Sequence, residues 1–492
     1  MIAKIIVDNK SKQVDKPFDY LVPKELEGKI KIGSRVLVPF SSGNREIEGF
    51  CVGTADTSGS KRLKSIIRTA NDTVGFDEDM LELIEWMHKK YLASYLDIIH
   101  TIVPSGTALK TKEWIILENK SEEKSEIRRR IAEILTDNGG SMEFKALKEM
   151  CGVDIQNQVR AMIKEGTLKK EYRQSVDIKD KKIKCVKLIC DRETALESAE
   201  ILRRKAPVQA KMLEVLSENE YVSLADLQKF TNGSHSTVKA LEKKNLVNVF
   251  DMTVERDPYW NRVFEKTEKM IPTPEQEYAI DEITNSVKSG DGGIYLLHGV
   301  TGSGKTEVFM QTIENVINMG KSAIMLVPEI SLTPQMVSRF MSRFGGRVAI
   351  FHSGLSAGER YDQWKKIRDG EADIVIGARS AIFTPLKNIG VIIMDEEHSD
   401  TYKSDMSPRY HARETAIFRA SQFGAAVVLA SATPSVESYY KAQTGEYKLL
   451  EMNTRYNKNK MPEISVIDMR SELEKGNKSM LSGKLYNEIE EN

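Results

Sequence analysis

Ile294-Tyr295-Leu296-Leu297-His298-Gly299-Val300-Thr301-Gly302-Ser303-Gly304-Lys305-Thr306 decides how this 492-residue chain is read. A short apolar run, Gly293 to Leu297, leads into G-x-x-x-x-G-K-T, and a stretch of helical spacing over Val308 to Ile317 follows it. The order predicts a glycine-rich loop held between a strand and a helix. Such a loop needs Gly299, Gly302 and Gly304 so that backbone N–H groups, with Thr301 and Ser303 among them, can wrap phosphates at a helix N-terminus. Lys305 then neutralises charge on the β- and γ-phosphates, and Thr306 offers its hydroxyl to Mg²⁺.

Outward from the loop, Ala323 to Val327, Val348 to Phe351, Ile374 to Ile376, Val391 to Met394 and Ala425 to Leu429 are short, continuous apolar runs separated by helical stretches. That texture predicts a parallel sheet with helices on both faces. Val391 to Met394 delivers Asp395-Glu396-Glu397-His398 at its carboxyl end, where such sheets bind ligands. Asp395 is expected to hold Mg²⁺ through water, and Glu396 to orient and deprotonate an attacking water. Ser431-Ala432-Thr433-Pro434 follows the next strand, and its hydroxyls can hydrogen-bond the acidic segment.

Composition bounds the rest. At about 150 residues per domain the length predicts about three domains. Hydrophobic residues are 40% and charged residues 29%, as in globular chains. No apolar run reaches about 18 residues, and Met1 to Asp8 is too short and charged for a signal peptide, so a cytoplasmic location without membrane contact is expected. Lys+Arg and Asp+Glu are both 72, so a polyanion would have to be held by local charge patterning. Cys51, Cys151, Cys185 and Cys190 form no C-x-x-C pair.

Residues 1–108 read as a small β-rich domain of short apolar runs and turns, such as Ser42-Gly43-Asn44, closed by one helix between Asp77 and Leu96 and punctuated by Pro104-Ser105-Gly106. Residues 109–255 hold two similar units, 127–172 and 207–254, each with three helices and a terminal β element, the pattern of a winged helix. The basic run Lys164 to Lys187 between them reads equally as a solvated linker. Residues 256–450 form the α/β lobe, and 451–492 would begin another.

The loop at Gly299, the D-E-E-H at Asp395 and the S-A-T at Ser431 resemble motifs I, II and III of superfamily 2 helicases. More narrowly, Leu326 to Gln335, His352 to Ser356 and Gly377 to Pro385 resemble the PriA family of replication-restart helicases. The resemblance implies a RecA-like lobe that uses ATP and Mg²⁺, with Gln276 against adenine and Arg379 along single-stranded DNA. It also makes Asp400 to Arg413 an aromatic-rich loop that couples DNA to the ATPase, with Tyr402, Arg409, Tyr410 and Arg413 on the strand. Aromatics interleaved with cations suit base stacking and phosphate contact, though such tyrosines can equally be packing residues.

Phe18-Asp19-Tyr20 and Gly33 to Phe40 resemble that family's 3′-end-binding domain, which implies that Asp19, Tyr20 and Lys64 contact the terminal nucleotide. A carboxylate can accept the 3′-hydroxyl yet repels a 3′-phosphate. Ser41 stands where the family often has glycine.

The resemblance implies a 3′→5′ DNA helicase acting on forked DNA, with single-stranded DNA-binding protein and primosome or helicase-loader proteins as partners. The alternatives are a fork-binding scaffold whose nucleotide site only switches conformation, or another P-loop translocase. The family's second lobe and its cysteine-rich zinc module have no counterparts here, so the chain is expected to be the N-terminal portion of a longer protein.

Overall fold

The computed structural model describes residues 1–491 apart from 10, 42–44, 60–61, 70–74, 104–108, 120–124, 177–180, 255, 257–264, 330–332 and 458–463. The turn at Ser42, the break at Pro104 and the middle of the block at Leu326 therefore lie outside the described residues.

The first domain is a six-stranded sheet built from β1 (Ile2–Val7), β2 (Phe18–Leu21), β3 (Arg35–Phe40), β4 (Arg45–Ala55), β5 (Lys64–Ser65) and β6 (Arg68–Thr69), in the order β5-β2-β1-β4-β3-β6. One closing helix was expected; there are two, α1 (Glu78–Tyr91) and α2 (Tyr95–Ile102). Asp77 caps α1 by accepting from the Met80 N–H, and Met80, Leu83, Ile84 and Met87 form its buried stripe. The break comes at Leu92, whose backbone is left-handed at φ 50, and Ser94 then caps α2.

Two units of like construction follow. In the first, β7 (Leu109–Leu117) pairs antiparallel with β8 (Ser141–Glu143) and β9 (Leu168–Val176), and α3 (Glu126–Asp137), α4 (Phe144–Cys151) and α5 (Gln156–Lys164) complete it. In the second, β10 (Lys181–Leu188) pairs with β11 (Val222–Ser223) and β12 (Val247–Val254) around α6 (Arg192–Leu202), α7 (Pro207–Ser217), α8 (Leu224–Thr231) and α9 (His235–Lys243). Each central strand precedes its helices, so both units begin earlier than expected. The basic run from Lys164 is largely β9 and β10 rather than linker. Asn232, left-handed at φ 52, makes the turn between α8 and α9.

The α/β lobe opens with α10 (Pro274–Ser289), whose Thr273–Gln276 capping box satisfies two orphan N–H groups. Then come β13 (Gly293–Gly299), α11 (Lys305–Asn318), β14 (Ser322–Leu326), α12 (Pro334–Phe344), β15 (Val348–Phe351), α13 (Ala357–Arg368), β16 (Ile374–Gly377), β17 (Ile389–Met394), α14 (Ala412–Phe423), β18 (Ala426–Ser431), α15 (Val436–Gln443) and β19 (Lys448–Met452). All seven strands run parallel, in the order β15-β16-β14-β17-β18-β13-β19. Strands β14, β17 and β18 are buried along their whole length, which is why they read as unbroken apolar runs. The last strand reaches Met452, and α16 (Met469–Glu474) and α17 (Gly483–Glu491) follow with no buried residue.

One hydrophobic core joins the first domain to this lobe. Ile6, Phe50 and the buried faces of α1 and α2 pack into the same cluster as Leu296, Ile324, Ile392 and Ala416. Trp86 stacks on Phe418 with ring centroids 4.6 Å apart. The two intervening units keep separate small cores.

Candidate nucleotide and DNA site

The carboxyl edge of the parallel sheet brings the glycine-rich loop and the acids together. A cavity of about 580 Å³ opens there, lined by residues 300–307, Gln276, Asp395 and Glu396 among others. Gly304 is indispensable to its shape: its φ is +86, and a Cβ would sit 2.3 Å from Gln276 Nε2. The Gln276 amide is committed inward, with Nε2 donating to Ser303 O at 2.8 Å and Oε1 accepting from Thr273 N at 2.8 Å. It latches the loop to α10, and only its second N–H remains for a base.

Lys305 Nζ donates to Gly299 O at 2.7 Å, so the lysine folds back over its own loop. Burial pulls its pKa below the ordinary lysine value, while Glu396 and Asp395 oppose that fall. Burial, reinforced by Glu396, pushes Asp395 up to about 6. Glu396 has a left-handed backbone at φ 46 and donates its N–H to Asp395 Oδ1 at 3.0 Å, a strained turn that aims both carboxylates at the cavity.

The site fits a nucleoside triphosphate. Ser303 Oγ is buried and has no hydrogen-bond partner, an orphan donor in a loop otherwise built to meet phosphate. Among the described residues no cluster of three or more His, Cys, Asp or Glu could hold a metal ion. Thr306 and Asp395 supply the few hard oxygens that a Mg²⁺ shared with phosphates requires. All four cysteines are free thiols, with Cys51, Cys151 and Cys185 buried and Cys190 partly buried.

Behind the acids, the third one is structural. Glu397 Oε2 accepts from Arg413 Nη1 at 3.0 Å and Ser438 Oγ at 2.9 Å, and Oε1 from Ser435 N at 2.7 Å. His398 Nδ1 meets Ser431 Oγ at 2.8 Å, the link expected between the acidic segment and the S-A-T turn.

The loop 400–411 requires corrections. Tyr402 is fully buried, and its hydroxyl donates to Asp395 O at 2.6 Å and Leu326 O at 3.1 Å. Tyr410 is buried edge-on against Phe383. Neither ring offers a face to a DNA base; burial raises both phenols well above the usual tyrosine range. Arg413 is spent on Glu397 and the serines of α15. Arg379 Nη1 donates to Thr401 O at 3.2 Å and also to Lys403 O, so it pins the loop. Arg409 and Lys403 remain on the exposed rim.

In the first domain Asp19, on β2, is half-buried and accepts from Ser58 Oγ at 2.6 Å. Tyr20 is a core residue whose hydroxyl donates to Pro39 O, so its ring is unavailable to DNA. Lys64 is exposed and donates to Ser41 O at 2.6 Å. Ser41 adopts φ 61, the left-handed conformation glycine would favour at that position.

Sequence reasoning missed two features. Arg419, fully buried on α14, donates to the Thr384 and Leu386 carbonyls at 2.6 and 3.1 Å and also to Ile382 O. Tyr91 on α1 donates to Glu414 Oε2 at 2.9 Å and accepts from His411 N at 3.4 Å, tying the first domain to the loop. Neither has a motif, and only the folded chain places them.

Strand-borne acids facing a P-loop on a seven-stranded parallel sheet define a RecA-like helicase lobe, and the DEAD/DEAH box helicase family matches residues 273–442. The 3′DNA-binding domain family of PriA matches residues 4–104. The chain is 40% identical to replication restart protein PriA of Bacillus subtilis (strain 168), over 99% of its own length and 60% of that protein. It is 32% identical to the PriA of Synechocystis sp. (strain ATCC 27184 / PCC 6803 / Kazusa), over 99% of this chain and 59% of that one. The chain is thus similar to PriA replication restart proteins along nearly all of its own length, and it spans about 60% of the length of these relatives. Among solved structures, RecG bound to a three-way DNA junction overlaps 39% of this chain and 24% of that one at 26% identity, with a TM-score of 0.29.

Proposed function

We propose that this chain is the DNA-end-binding and ATP-binding part of a 3′→5′ DNA helicase that recognises abandoned replication forks and starts primosome assembly. The observation that carries this reading is the shared core: an end-binding domain and a nucleotide lobe packed into one hydrophobic cluster. Asp19 receives the terminal 3′-hydroxyl. The two units, one built on α3 to α5 and the other on α7 to α9 with α6 added before them, act as winged helices on duplex, with α9 as a recognition helix. Arg409, Lys403 and Lys64 meet phosphates from the exposed rim.

In the nucleotide site the backbone of residues 299–306 and Lys305 bind and orient the phosphates. Mg²⁺, when bound, neutralises phosphate charge, and Thr306 and Asp395 would hold it. Glu396 orients the attacking water and accepts its proton, while the Glu397–Arg413–Ser435 cluster keeps Glu396 in place. Single-stranded DNA-binding protein and helicase-loader proteins are the protein partners this reading implies, in the cytoplasm.

The test is fluorescence anisotropy with forked DNA ending in a leading-strand 3′-OH or 3′-phosphate, at fixed salt because phosphate contacts dominate affinity. Preference for the 3′-OH fork, lost in Asp19→Ala, supports the reading. Equal binding of both forks would overturn it.

A further inference from the structure

The segment after β19 closes one end of the nucleotide cavity, although its sequence carries no motif. Met452 O accepts from Val300 N at 3.1 Å, and Tyr456 N donates to Gly302 O at 2.9 Å. Thr454 is held between them, its N–H and Oγ1 donating to Glu275 Oε2 at 3.2 and 2.8 Å. Three successive anchors, two to the phosphate loop and one to α10, fix a stretch that would otherwise be a free linker. Tyr456 lines the cavity, 40% exposed, with Gln276, Met270 and Met310.

The sheet order says which end this is. Along the carboxyl edge the strands run β17, β18, β13, β19, so the acids at β17 and the phosphate loop after β13 occupy one side. A nucleotide whose phosphates lie on the loop and point to Asp395 extends its nucleoside away from β17, toward β19. There Tyr456, partly exposed, lines the cavity together with Met270 and Met310. Beside it Arg455 packs its stem 3.9 Å from where a Gly302 Cβ would stand, and its Nε is buried without a hydrogen-bond partner. An unmatched guanidinium N–H against the phosphate loop is a second sign that a ligand completes this corner.

We propose that Tyr456 is the base-stacking residue of the nucleotide site, a specificity-determining side chain supplied by the segment that leaves the lobe. This rests on the nucleotide reading of the Gly299 to Thr306 loop. An aromatic face stacks on a purine ring while leaving phosphate contacts untouched. The stacking group comes from outside the P-loop and from outside α10, so nucleoside affinity and phosphate affinity are separable in this chain.

Calorimetric titration of the 492-residue chain with Mg-ADP and, in parallel, with Mg-tripolyphosphate, which lacks a base, tests the assignment. Tyr456→Ala is expected to weaken ADP about tenfold and leave tripolyphosphate unchanged, with Tyr456→Phe within about twofold of wild type for both. Equal ADP affinity in Tyr456→Ala would overturn the stacking role, as would an equal loss for both ligands, which would mark a merely structural prop for the loop. Failure of the wild-type chain to bind either ligand would instead sink the nucleotide reading, and this assignment with it.

Discussion

At the scale of single residues, Tyr402 separates a side chain that reads as functional from one that is. Its hydroxyl bridges the backbone of β14 to that of Asp395, so it braces the acidic turn from below. Tyr402→Phe removes one donor and leaves the ring's packing intact. The expected cost is about 1–2 kcal/mol in denaturant unfolding, with DNA affinity unchanged; a loss of DNA affinity at equal stability would restore the stacking role. Arg419 makes the complementary case. Burial lowers its pKa only to about 10, so it stays cationic and serves three carbonyls of the 382–386 segment. Arg419→Met fills similar volume yet strands those acceptors. A loss of about 3 kcal/mol or more in thermal or chemical unfolding is expected, and near-neutral behaviour would show that water replaces the guanidinium.

At the scale of elements, legibility followed burial. Six strands of the parallel sheet were readable because a strand covered on both faces carries an uninterrupted apolar run, as in Val391 to Met394. The seventh, Lys448–Met452, lies at the sheet edge, alternates exposed and buried residues and was not foreseen. The lysine-rich β10 likewise hid a central strand inside a charge run. The P-loop and the acids were legible because phosphate chemistry fixes both spacing and residue type; the facing of Tyr402 and Tyr410 was not, because periodicity fails in a 12-residue loop, nor was the pairing of Arg413 on α14 with Glu397, which lies on a separate element. His411 shows what that loop stores. Burial, then Arg413 and Lys403, hold its pKa below the ordinary histidine value against Glu414 and Glu397, and its Nδ1 accepts from Arg413 N at the start of α14. The folded chain thus binds fewer protons here than the unfolded chain, so stability is full above about pH 6.5 and falls as pH drops below it. His411→Asn keeps a capping acceptor and is expected to flatten that part of the pH–stability curve, as followed by circular dichroism.

At the scale of the whole molecule, the feature least visible in sequence is the one that defines the assembly. Trp86, Tyr91 and Phe418 carry no motif, yet they join the end-binding domain to the nucleotide lobe, while the two units between them fold around cores of their own. A shared core makes two domains one cooperative unit, since neither can unfold without exposing the other's apolar face. Calorimetry should therefore resolve one large transition for residues 1–103 together with the lobe, apart from that of residues 109–254. ADP at about 100 times its Kd would stabilise that unit by about 2.7 kcal/mol and raise only the large transition. Trp86→Ala removes a partly buried stack and should lower the same transition, by about 2 kcal/mol rather than the 3–5 of a fully buried ring. The decisive reading is the β-rich domain's own signal, for instance protease sensitivity within β4. If ADP protects β4, which contributes nothing to the nucleotide cavity, the shared core transmits stability from one site to the other. If β4 is cut at an unchanged rate while the lobe is protected, the two domains merely touch, and end capture and nucleotide binding are independent events.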